Sequence, residues 1–231
     1  MVFMKTVLTL DLAGLLSAVV LGALLIILGR SEWPLFFFSM LFFLIAAAIV
    51  TRVKASKKRA MNVYEIERGW RNVWANGAVP LFIAVLYFLL TLQPGYSGMA
   101  LAVAYLASVA AITADKFSSE LGVLSKKVFM LMTGMEVRAG VSGAVSLLGL
   151  GVGLLAALLV AGLFSFSYGF SAVIFTIVVV SGFFGDIVDS FFGYFEEHGM
   201  GNKFTTNIAC GVSAAVLALA LYVLVFAPFL L

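Results

Sequence analysis

Apolar residues fill long, almost uninterrupted runs of about 20 positions along the chain, and shorter polar segments separate them. A helix needs about 20 residues to cross the hydrocarbon core of a bilayer, because each residue adds about 1.5 Å. The pattern therefore predicts an all-α fold, a polytopic transmembrane bundle of about seven helices. The predicted spans are 6–29, 33–51, 75–92, 97–115, 141–164, 169–191 and 205–230.

Composition supports the same class. Of the 231 residues, 64% are apolar and 11% are charged, and the mean hydropathy is +1.17. A soluble domain carries about 25% charged residues, so we predict one integral-membrane domain over 1–231, with its motifs in about 68–210. The single Cys210 excludes a disulfide framework and a cysteine-based metal site. No small-residue cleavage pattern precedes Arg30, so the first apolar run is interpreted as a retained helix.

The basic residues predict an orientation. Cytoplasmic loops of membrane proteins are enriched in Lys and Arg, and a cytoplasmic N-terminus places 13 of the 14 basic residues inside. We therefore predict a multi-pass protein of the cell membrane with its C-terminus outside, Arg30 as the one outer basic residue, and the polar motifs facing the cytoplasm. The inner basic residues are Lys5, Arg52, Lys54, Lys57, Lys58, Arg59, Arg68, Arg71, Lys116, Lys126, Lys127, Arg138 and Lys203.

Two aspartates interrupt the sixth apolar run. Asp186 and Asp189 are three positions apart, so a helix projects both from one face. A carboxylate at membrane depth is costly and normally faces a cavity, a cation or a partner. Two carboxylates on one face suit Mg²⁺, which binds through one or two carboxylates together with substrate phosphates. The alternative is a pair of membrane-end aspartates solvated by water.

A second acidic pair lies at the end of the fourth apolar run. Asp115 and Glu120 are five positions apart, a spacing that does not place them on one face of an ideal helix. A turn at 118–122 would bring both inward, where Glu120 could ligate a metal or either group could act as a base. Capping and solvation of a helix end are the alternative.

Other polar segments have the composition of an anion site. The small residues at 138–146 precede the fifth predicted helix, and a helix N-terminus with free N–H groups favours anions; close helix packing is the alternative. Arg71 and Asn76 suit phosphate or nucleotide, whereas the neighbouring Trp70 and Trp74 suit an interfacial aromatic belt. The polar residues at 202–207 either cap the last helix or line the same cavity. Together these segments predict a phosphate-handling site for a substrate with a phosphate head and an apolar tail.

Three motifs give the chain a resemblance to a known family. They are Ala114-Asp115-x-x-x-Ser119-Glu120-Leu121-Gly122, Gly140-x-x-Gly143-x-Val145-Ser146-x-x-Gly149 and Gly182-x-x-Gly185-x-x-x-Asp189-Ser190-x-x-Gly193, with Asn76-Gly77 before the third helix. In these motifs the chain resembles the integral-membrane family that contains the plant phytyl-phosphate kinase of tocopherol synthesis. It departs from the family pattern at Lys116 and Phe117, where Thr and Trp are usual, and around Gly140 and at Tyr194.

The resemblance implies phosphorylation of an isoprenoid monophosphate to the diphosphate, with CTP or another nucleoside triphosphate as donor and Mg²⁺ as cofactor. The family is also similar to dolichol kinase and phosphatidate cytidylyltransferase. Metal and triphosphate would be held by Asp115, Glu120, Asp186 and Asp189. Phosphate or nucleotide contacts would come from Arg71, Asn76, Gly77, Lys116, Arg138, Gly140, Ser142, Gly143, Ser190, Asn202 and Lys203.

The expected partners are the isoprenoid monophosphate and membrane lipids, with no nucleic acid. Small-residue spacing also permits a homodimer. Two other functions stay open at this point. A cytidylyltransferase would use the same donor and metal but release pyrophosphate. An ion-coupled carrier would show acids near the midplane and repeated broken helices, which this chain lacks in sequence.

Overall fold

A computed structural model describes residues 8–64 and 68–226. Lys5 and the outermost residues of the first and last predicted spans lie outside the described residues. Within them, eight α-helices and one short hairpin are formed, and the all-α polytopic bundle is confirmed. The elements are α1 Leu12–Gly29, α2 Trp33–Arg52, α3 Ala55–Ala60, α4 Trp70–Leu90, α5 Met99–Gly122, β1 Phe129–Met130, β2 Ala144–Val145, α6 Leu147–Tyr168, α7 Ala172–Glu197 and α8 Lys203–Phe226.

Six apolar helical stretches in the described part of the chain are long enough to cross a membrane. The first of them, Leu12–Arg52, is 41 residues long, about twice the length that one crossing needs. A short 3₁₀ turn divides it at Arg30–Glu32, where Arg30 adopts a positive φ of 49°. Leu10 and Ala47 line the same groove, so α1 and α2 run antiparallel as two separate helices.

Successive long helices alternate in direction, which brings every polar motif to one end of the bundle. The start of α1 bonds the start of α4, where the Asp11 N–H donates to the Arg68 carbonyl at 3.2 Å. The end of α5 meets the start of α6, since the Ser146 hydroxyl donates to the Gly122 carbonyl at 3.1 Å. At the opposite end, Arg30 donates to the Thr91 carbonyl at 2.7 Å. We call the first of these ends the polar end.

Helix α5 forms the centre of the bundle, and its residues 101–114 are all buried. Alanines on α5 and glycines on α7 allow the two backbones to approach closely. A Cβ added at Gly182 would lie 2.6 Å from the Ala110 Cβ, and one at Gly185 would lie 2.5 Å from the Ala111 Cβ. Small residues at such contacts are how helices pack within lipid. The outer helices present large apolar side chains such as Val19 and Phe82, each more than 60% exposed, toward the surrounding lipid.

Several boundaries differ from the sequence-based expectations. Of the two possibilities left open for 118–122, a turn is not formed, because α5 stays helical through Gly122. The fifth predicted helix begins at Leu147 instead of 141, since the Ser146 hydroxyl caps it by accepting from the Gly149 N–H at 3.1 Å. Residues 138–143 are therefore a loop rather than the N-terminus of a helix. Helix α3 and the β1–β2 hairpin were not predicted.

Candidate functional site

A cavity of about 430 Å³ opens at the polar end of the bundle. Its walls come from the ends of α5, α6, α7 and α8 and from the loop between α5 and α6. Ten of the fifteen residues predicted for the site line this cavity, namely Asp115, Lys116, Glu120, Gly140, Ser142, Gly143, Asp186, Asp189, Ser190 and Lys203. One cavity therefore gathers all four predicted carboxylates from two helices that are distant in sequence.

Asp186 and Asp189 are the most buried acids of the cavity lining. Their side chains are only 1% and 4% exposed, and they lie on one face of α7 as their spacing predicts. The Oδ1 atom of each has no hydrogen-bond partner among the described residues. Two buried carboxylate oxygens without a donor are costly in a protein interior. The arrangement becomes favourable when a cation occupies the space in front of them.

Neighbouring helices complete this acidic wall. The Ser118 hydroxyl on α5 lies 2.6 Å from the Asp186 Oδ2. Asp115 interacts electrostatically with Asp186 and contacts Asp189 directly. Lys203 at the start of α8 interacts electrostatically with both Asp115 and Asp189. We call Asp115, Asp186 and Asp189 the aspartate cluster.

Gly153 on α6 is required for this close arrangement. A Cβ built there would lie 2.2 Å from the Ser118 Oγ and 2.5 Å from the Asp186 Oδ2. Both distances are far inside van der Waals contact, so any side chain at position 153 would displace the aspartate. The neighbouring Gly151 has nothing within 4 Å of its added Cβ. Only one of these two glycines is thus part of the site.

The donor set of the aspartate cluster fits Mg²⁺. Magnesium prefers oxygen ligands and binds through one or two carboxylates while retaining waters or substrate phosphates. Asp186 and Asp189 offer two buried, unpartnered oxygens, and Asp115 adds a third carboxylate beside them. The cavity in front of them leaves room for water and phosphate in the remaining positions.

Glu120 occupies a different environment on the other side of the cavity. Its Oε2 accepts from the Lys58 ammonium at 2.7 Å, and its Oε1 accepts from Arg68 at 2.8 Å and from Lys116. The Thr51 hydroxyl adds a bond at 3.0 Å. We call Glu120, Lys58, Arg68 and Lys116 the cation cluster. The metal-ligand role predicted for Glu120 requires it to exchange these partners for a metal.

Lys58 is fully buried, and each N–H donor of its ammonium group has an acceptor. Besides Glu120, it donates to the Val50 and Thr51 carbonyls at 3.0 Å each. These carbonyls belong to the last turn of α2, where the helix dipole favours a cation. Lys58 therefore joins the short helix α3 to the ends of α2 and α5. In the sequence Lys58 is only one of the basic residues that predict the orientation, because no local spacing relates it to Glu120, which lies 62 positions away.

The small-residue loop at 138–143 lines the cavity and is bound to the end of α7. The Ser142 N–H donates to the Glu197 Oε2 at 3.1 Å, and its hydroxyl donates to the Glu196 Oε2 at 3.0 Å. Gly143 has a φ of +79°, and its added Cβ would lie 2.5 Å from the Tyr194 backbone nitrogen. Ser142 thus fastens the loop to the end of α7, and carboxylates occupy both of its donors.

Five predicted residues do not line the cavity. Arg71 lies over the Trp70 ring at 5.5 Å, and the Asn76 amide donates to the Asn72 carbonyl at 2.8 Å. Gly77 packs against Leu21, Arg138 is exposed in the loop, and the Asn202 side chain accepts from the Phe204 N–H at 2.9 Å. The two possibilities left open for 202–207 are both realised, since Asn202 caps α8 and Lys203 lines the cavity.

The lining of the cavity carries more negative than positive charge. Six carboxylates and two lysines line it, and the six acids are Asp115, Glu120, Asp186, Asp189, Glu196 and Glu197. A phosphate entering alone would meet this excess of negative charge. One or two bound divalent cations would offset much or all of this excess. Five further residues line the cavity and were missed as site residues, namely Asn62, Ser118, Ser146, Glu196 and Glu197. Isolated serines and acids at a helix end carry no spacing signal.

Comparison with known proteins places the chain in a family. Residues 1–212 match the family described as integral membrane protein DUF92. The chain belongs to this family. A relative from Methanocaldococcus jannaschii, described as an uncharacterized membrane protein, is 31% identical over 215 residues, covering 92% of this chain and 86% of the relative. No solved structure matches the chain.

Membership of the DUF92 family establishes an integral membrane protein with several spans, in agreement with the six apolar stretches. The more specific resemblance to the phytyl-phosphate kinase stays a prediction.

Proposed function

We propose that this DUF92 protein is a membrane-embedded kinase that transfers the γ-phosphate of CTP, or of another nucleoside triphosphate, to an isoprenoid monophosphate. One observation carries the proposal: two buried aspartate oxygens without a donor face a cavity of about 430 Å³ at one end of a membrane bundle. That arrangement calls for a cation, and the cavity has room for the phosphates that accompany it.

The transfer itself demands little covalent chemistry from the protein. An oxygen of the acceptor phosphate forms a bond to the γ-phosphorus, and the bond between that phosphorus and the β–γ bridging oxygen breaks, so that the nucleoside diphosphate leaves. No catalytic base is needed, since the acceptor is already an anion. Bound Mg²⁺ would neutralise charge on the phosphate oxygens. The aspartate cluster positions the donor, and Lys116 and Lys203 neutralise the remaining charge.

The proposal includes an orientation, in which the polar end faces the cytoplasm, where the nucleotide is available. Lys57, Lys58, Arg59 and Arg68 lie at or near the polar end, and Arg30 lies at the other end. This distribution agrees with the enrichment of basic residues on the cytoplasmic side. Labelling of single cysteines with an impermeant maleimide tests it, after Cys210 has been replaced by Ser. Reaction of a cysteine at exposed position 138 in intact cells would contradict the orientation.

The function is tested with purified protein, γ-labelled CTP, Mg²⁺ and a C20 isoprenyl phosphate. Label in a lipid-soluble diphosphate is the expected result, and it should disappear with EDTA. Release of pyrophosphate with no label in the lipid would replace the kinase with a cytidylyltransferase. Absence of both products with several donors and acceptors would overturn the proposal and favour a carrier.

A further inference from the structure

An asparagine on α8 is buried beside the aspartate cluster with its side-chain oxygen unpaired. Asn207 is 7% exposed, and its Oδ1 atom has no hydrogen-bond partner among the described residues. Lys203 lies one turn away on α8 but leaves this oxygen without a hydrogen bond. Burying an amide oxygen without a donor costs free energy. The Asn207 oxygen therefore calls for a ligand, as the unpaired oxygens of Asp186 and Asp189 do.

The packing around Gly185 shows where Asn207 lies relative to the aspartates. A Cβ built on Gly185 of α7 would lie 2.5 Å from the Ala111 Cβ of α5. The same atom would lie 2.7 Å from the Cys210 carbonyl oxygen and 3.1 Å from the Ala214 Cβ, both on α8. Three helices therefore meet at this glycine, and the residues just beyond it toward the polar end lie around a common space.

Helices α5 and α7 both run toward the polar end and carry aspartates just beyond this contact. Four residues along a helix amount to about 6 Å and return nearly to the same face. On α5 this step leads from Ala111 to Asp115, and on α7 it leads from Gly185 to Asp189. The two aspartates therefore lie at one level, in agreement with their direct contact.

Helix α8 brings Asn207 to the same space from the opposite direction. It begins at the polar end, so Asn207 lies nearer that end than Ala214 by seven residues, or about 10.5 Å. Seven residues are almost two complete turns, and therefore Asn207 and Ala214 share the face that packs on α7. Lys203 and Cys210 precede and follow Asn207 by about one turn, and both interact electrostatically with Asp189 and Asp115. Asn207 consequently lies between two residues that are close to the aspartate cluster.

We propose that Asn207 is a ligand, through its Oδ1 atom, of the same divalent cation that the aspartate cluster binds. The inference rests on the cation site of the proposed function, although not on the transfer of phosphate. Carboxylate and carbonyl oxygens are the ligands that suit Mg²⁺ and Mn²⁺. An amide oxygen adds such a ligand without adding a further negative charge to the three aspartates. A cation held in this way connects α5, α7 and α8 at the polar end.

The test measures Mn²⁺ affinity in a neutral detergent for wild type, Asn207→Leu and Asn207→Asp, from the electron paramagnetic resonance signal of free Mn²⁺. Leucine has nearly the shape of asparagine but no oxygen, so Asn207→Leu should weaken Mn²⁺ binding by about tenfold or more. Asn207→Asp keeps an oxygen ligand and loses the N–H donors, so it should bind Mn²⁺ at least as tightly as wild type. Equal losses in the two variants would assign the role of Asn207 to its N–H donors and overturn the inference.

Ser181→Ala is the matched control. The Ser181 hydroxyl is buried and has no hydrogen-bond partner among the described residues, like the Asn207 Oδ1. It lies eight residues before Asp189 on α7, about 12 Å farther from the polar end, so Mn²⁺ affinity should not change. Ser181→Ala and Asn207→Leu should both keep or raise Tm in EDTA, because each removes an unpaired buried polar group. A lower Tm for Asn207→Leu with wild-type Mn²⁺ affinity would give Asn207 a structural role and overturn the inference.

Wild-type protein provides a second measurement that does not depend on the folding of a variant. Fe²⁺ binds oxygen-ligand sites of this kind more tightly than Mn²⁺ does, and with ascorbate and peroxide it cleaves the chain near the bound metal. The expected result is cleavage within 203–210 as well as near Asp115 and Asp189, suppressed by excess Mg²⁺. Cleavage confined to α5 and α7 would overturn the role of Asn207.

The Asn207 ligand and the kinase can fail separately. Weaker Mn²⁺ binding in Asn207→Leu, with no transfer by wild type from any nucleoside triphosphate, would overturn the kinase and support the ligand. Transfer by Asn207→Leu with the Mg²⁺ requirement of wild type would support the kinase and overturn the ligand.

Discussion

The two acidic regions of the cavity differ in how their charges are compensated. Glu120 is surrounded by Lys58, Arg68 and Lys116, so that its charge is compensated by the folded chain itself. Asp186 and Asp189 are buried more deeply, yet each keeps an oxygen without a partner among the described residues. The first region connects α2, α3 and α5 and stabilises their packing. The second has the character of a site that a ligand completes.

This difference indicates which carboxylates have a structural role and which ones to test for ligand binding and catalysis. A buried charge that is fully paired stabilises one arrangement of helices, and its removal leaves its partners uncompensated. A buried charge that is left unpaired costs stability and persists when function requires it. Four carboxylates that look alike in sequence therefore separate into the aspartate cluster and Glu120.

The largest effect should come from Asp189→Asn. The amide keeps the shape of the side chain but removes the charge and one metal-binding oxygen, so transfer should fall by about two to three orders of magnitude or more. The measurement is the initial rate of lipid diphosphate formation at saturating CTP and Mg²⁺. Glu136→Gln is the matched control, because Glu136 is an exposed loop acid that does not line the cavity. A folded Asp189→Asn protein with full turnover would contradict the role of the aspartate cluster.

Substitutions in the two acidic regions should change the thermal stability measured in detergent in opposite directions. Glu120→Gln leaves Lys58 buried with its charge partner removed, so we expect a loss of about 3–5 kcal/mol in the free energy of unfolding. Asp186→Asn removes an unpaired buried charge beside Asp115 and Asp189, so it should raise Tm in metal-free buffer.

The same Tm measurements in the presence of Mg²⁺ test which carboxylates bind the metal. A ligand that binds only the folded state raises its stability with concentration, so Mg²⁺ should raise the Tm of the wild type and not that of Asp186→Asn. Glu120→Gln should keep the Mg²⁺-dependent rise from its lower starting value. Loss of that rise in Glu120→Gln would return Glu120 to the set of metal ligands.

The sequence was sufficient to predict the parts of the site that depend on local periodicity. The three-residue spacing of Asp186 and Asp189 determines their common face on any helix, and apolar run length determines the membrane bundle. The role of Glu120 was not accessible in the same way. Its partners Lys58 and Arg68 lie 62 and 52 positions away, and only the packing of α2, α3 and α5 brings them together.

The structure of the loop at 138–143 also could not be predicted from the periodicity of apolar residues. Small residues at 138–143 are equally compatible with an anion site and with a tight loop, and the choice depends on Glu196 and Glu197 at the end of α7. Serine is a recognisable N-cap residue type, but the sequence offers both Ser142 and Ser146 for this position. Tertiary contacts, rather than propensity, selected the start of α6.

Gly153→Ala should affect the aspartate cluster without changing any charge. The new methyl group would overlap the Ser118 hydroxyl and the Asp186 Oδ2, so Asp186 must move out of position. We expect about a tenfold or greater fall in kcat, since small displacements at a reacting centre are costly. Gly151→Ala is the control, as its methyl group meets open space. Equal activities in the two variants would show that the position of Asp186 is not critical.

The smallest effect should come from Ser142→Ala. The neutral donors of Ser142 bind Glu196 and Glu197, the two other acids of the cavity lining. The substitution removes the hydroxyl bond to Glu196 but keeps the backbone bond to Glu197, at a net cost of about 1 kcal/mol. Because the loop lines the cavity and does not touch the aspartate cluster in any hydrogen bond of the described residues, the KM for the donor should rise a few-fold while kcat stays near wild type. Ser125→Ala, outside the cavity lining, controls for the loss of a loop hydroxyl. A fall in kcat with unchanged KM would instead place Ser142 beside the reacting phosphates. The loop would then share the catalytic role of the aspartate cluster rather than the structural role of the cation cluster.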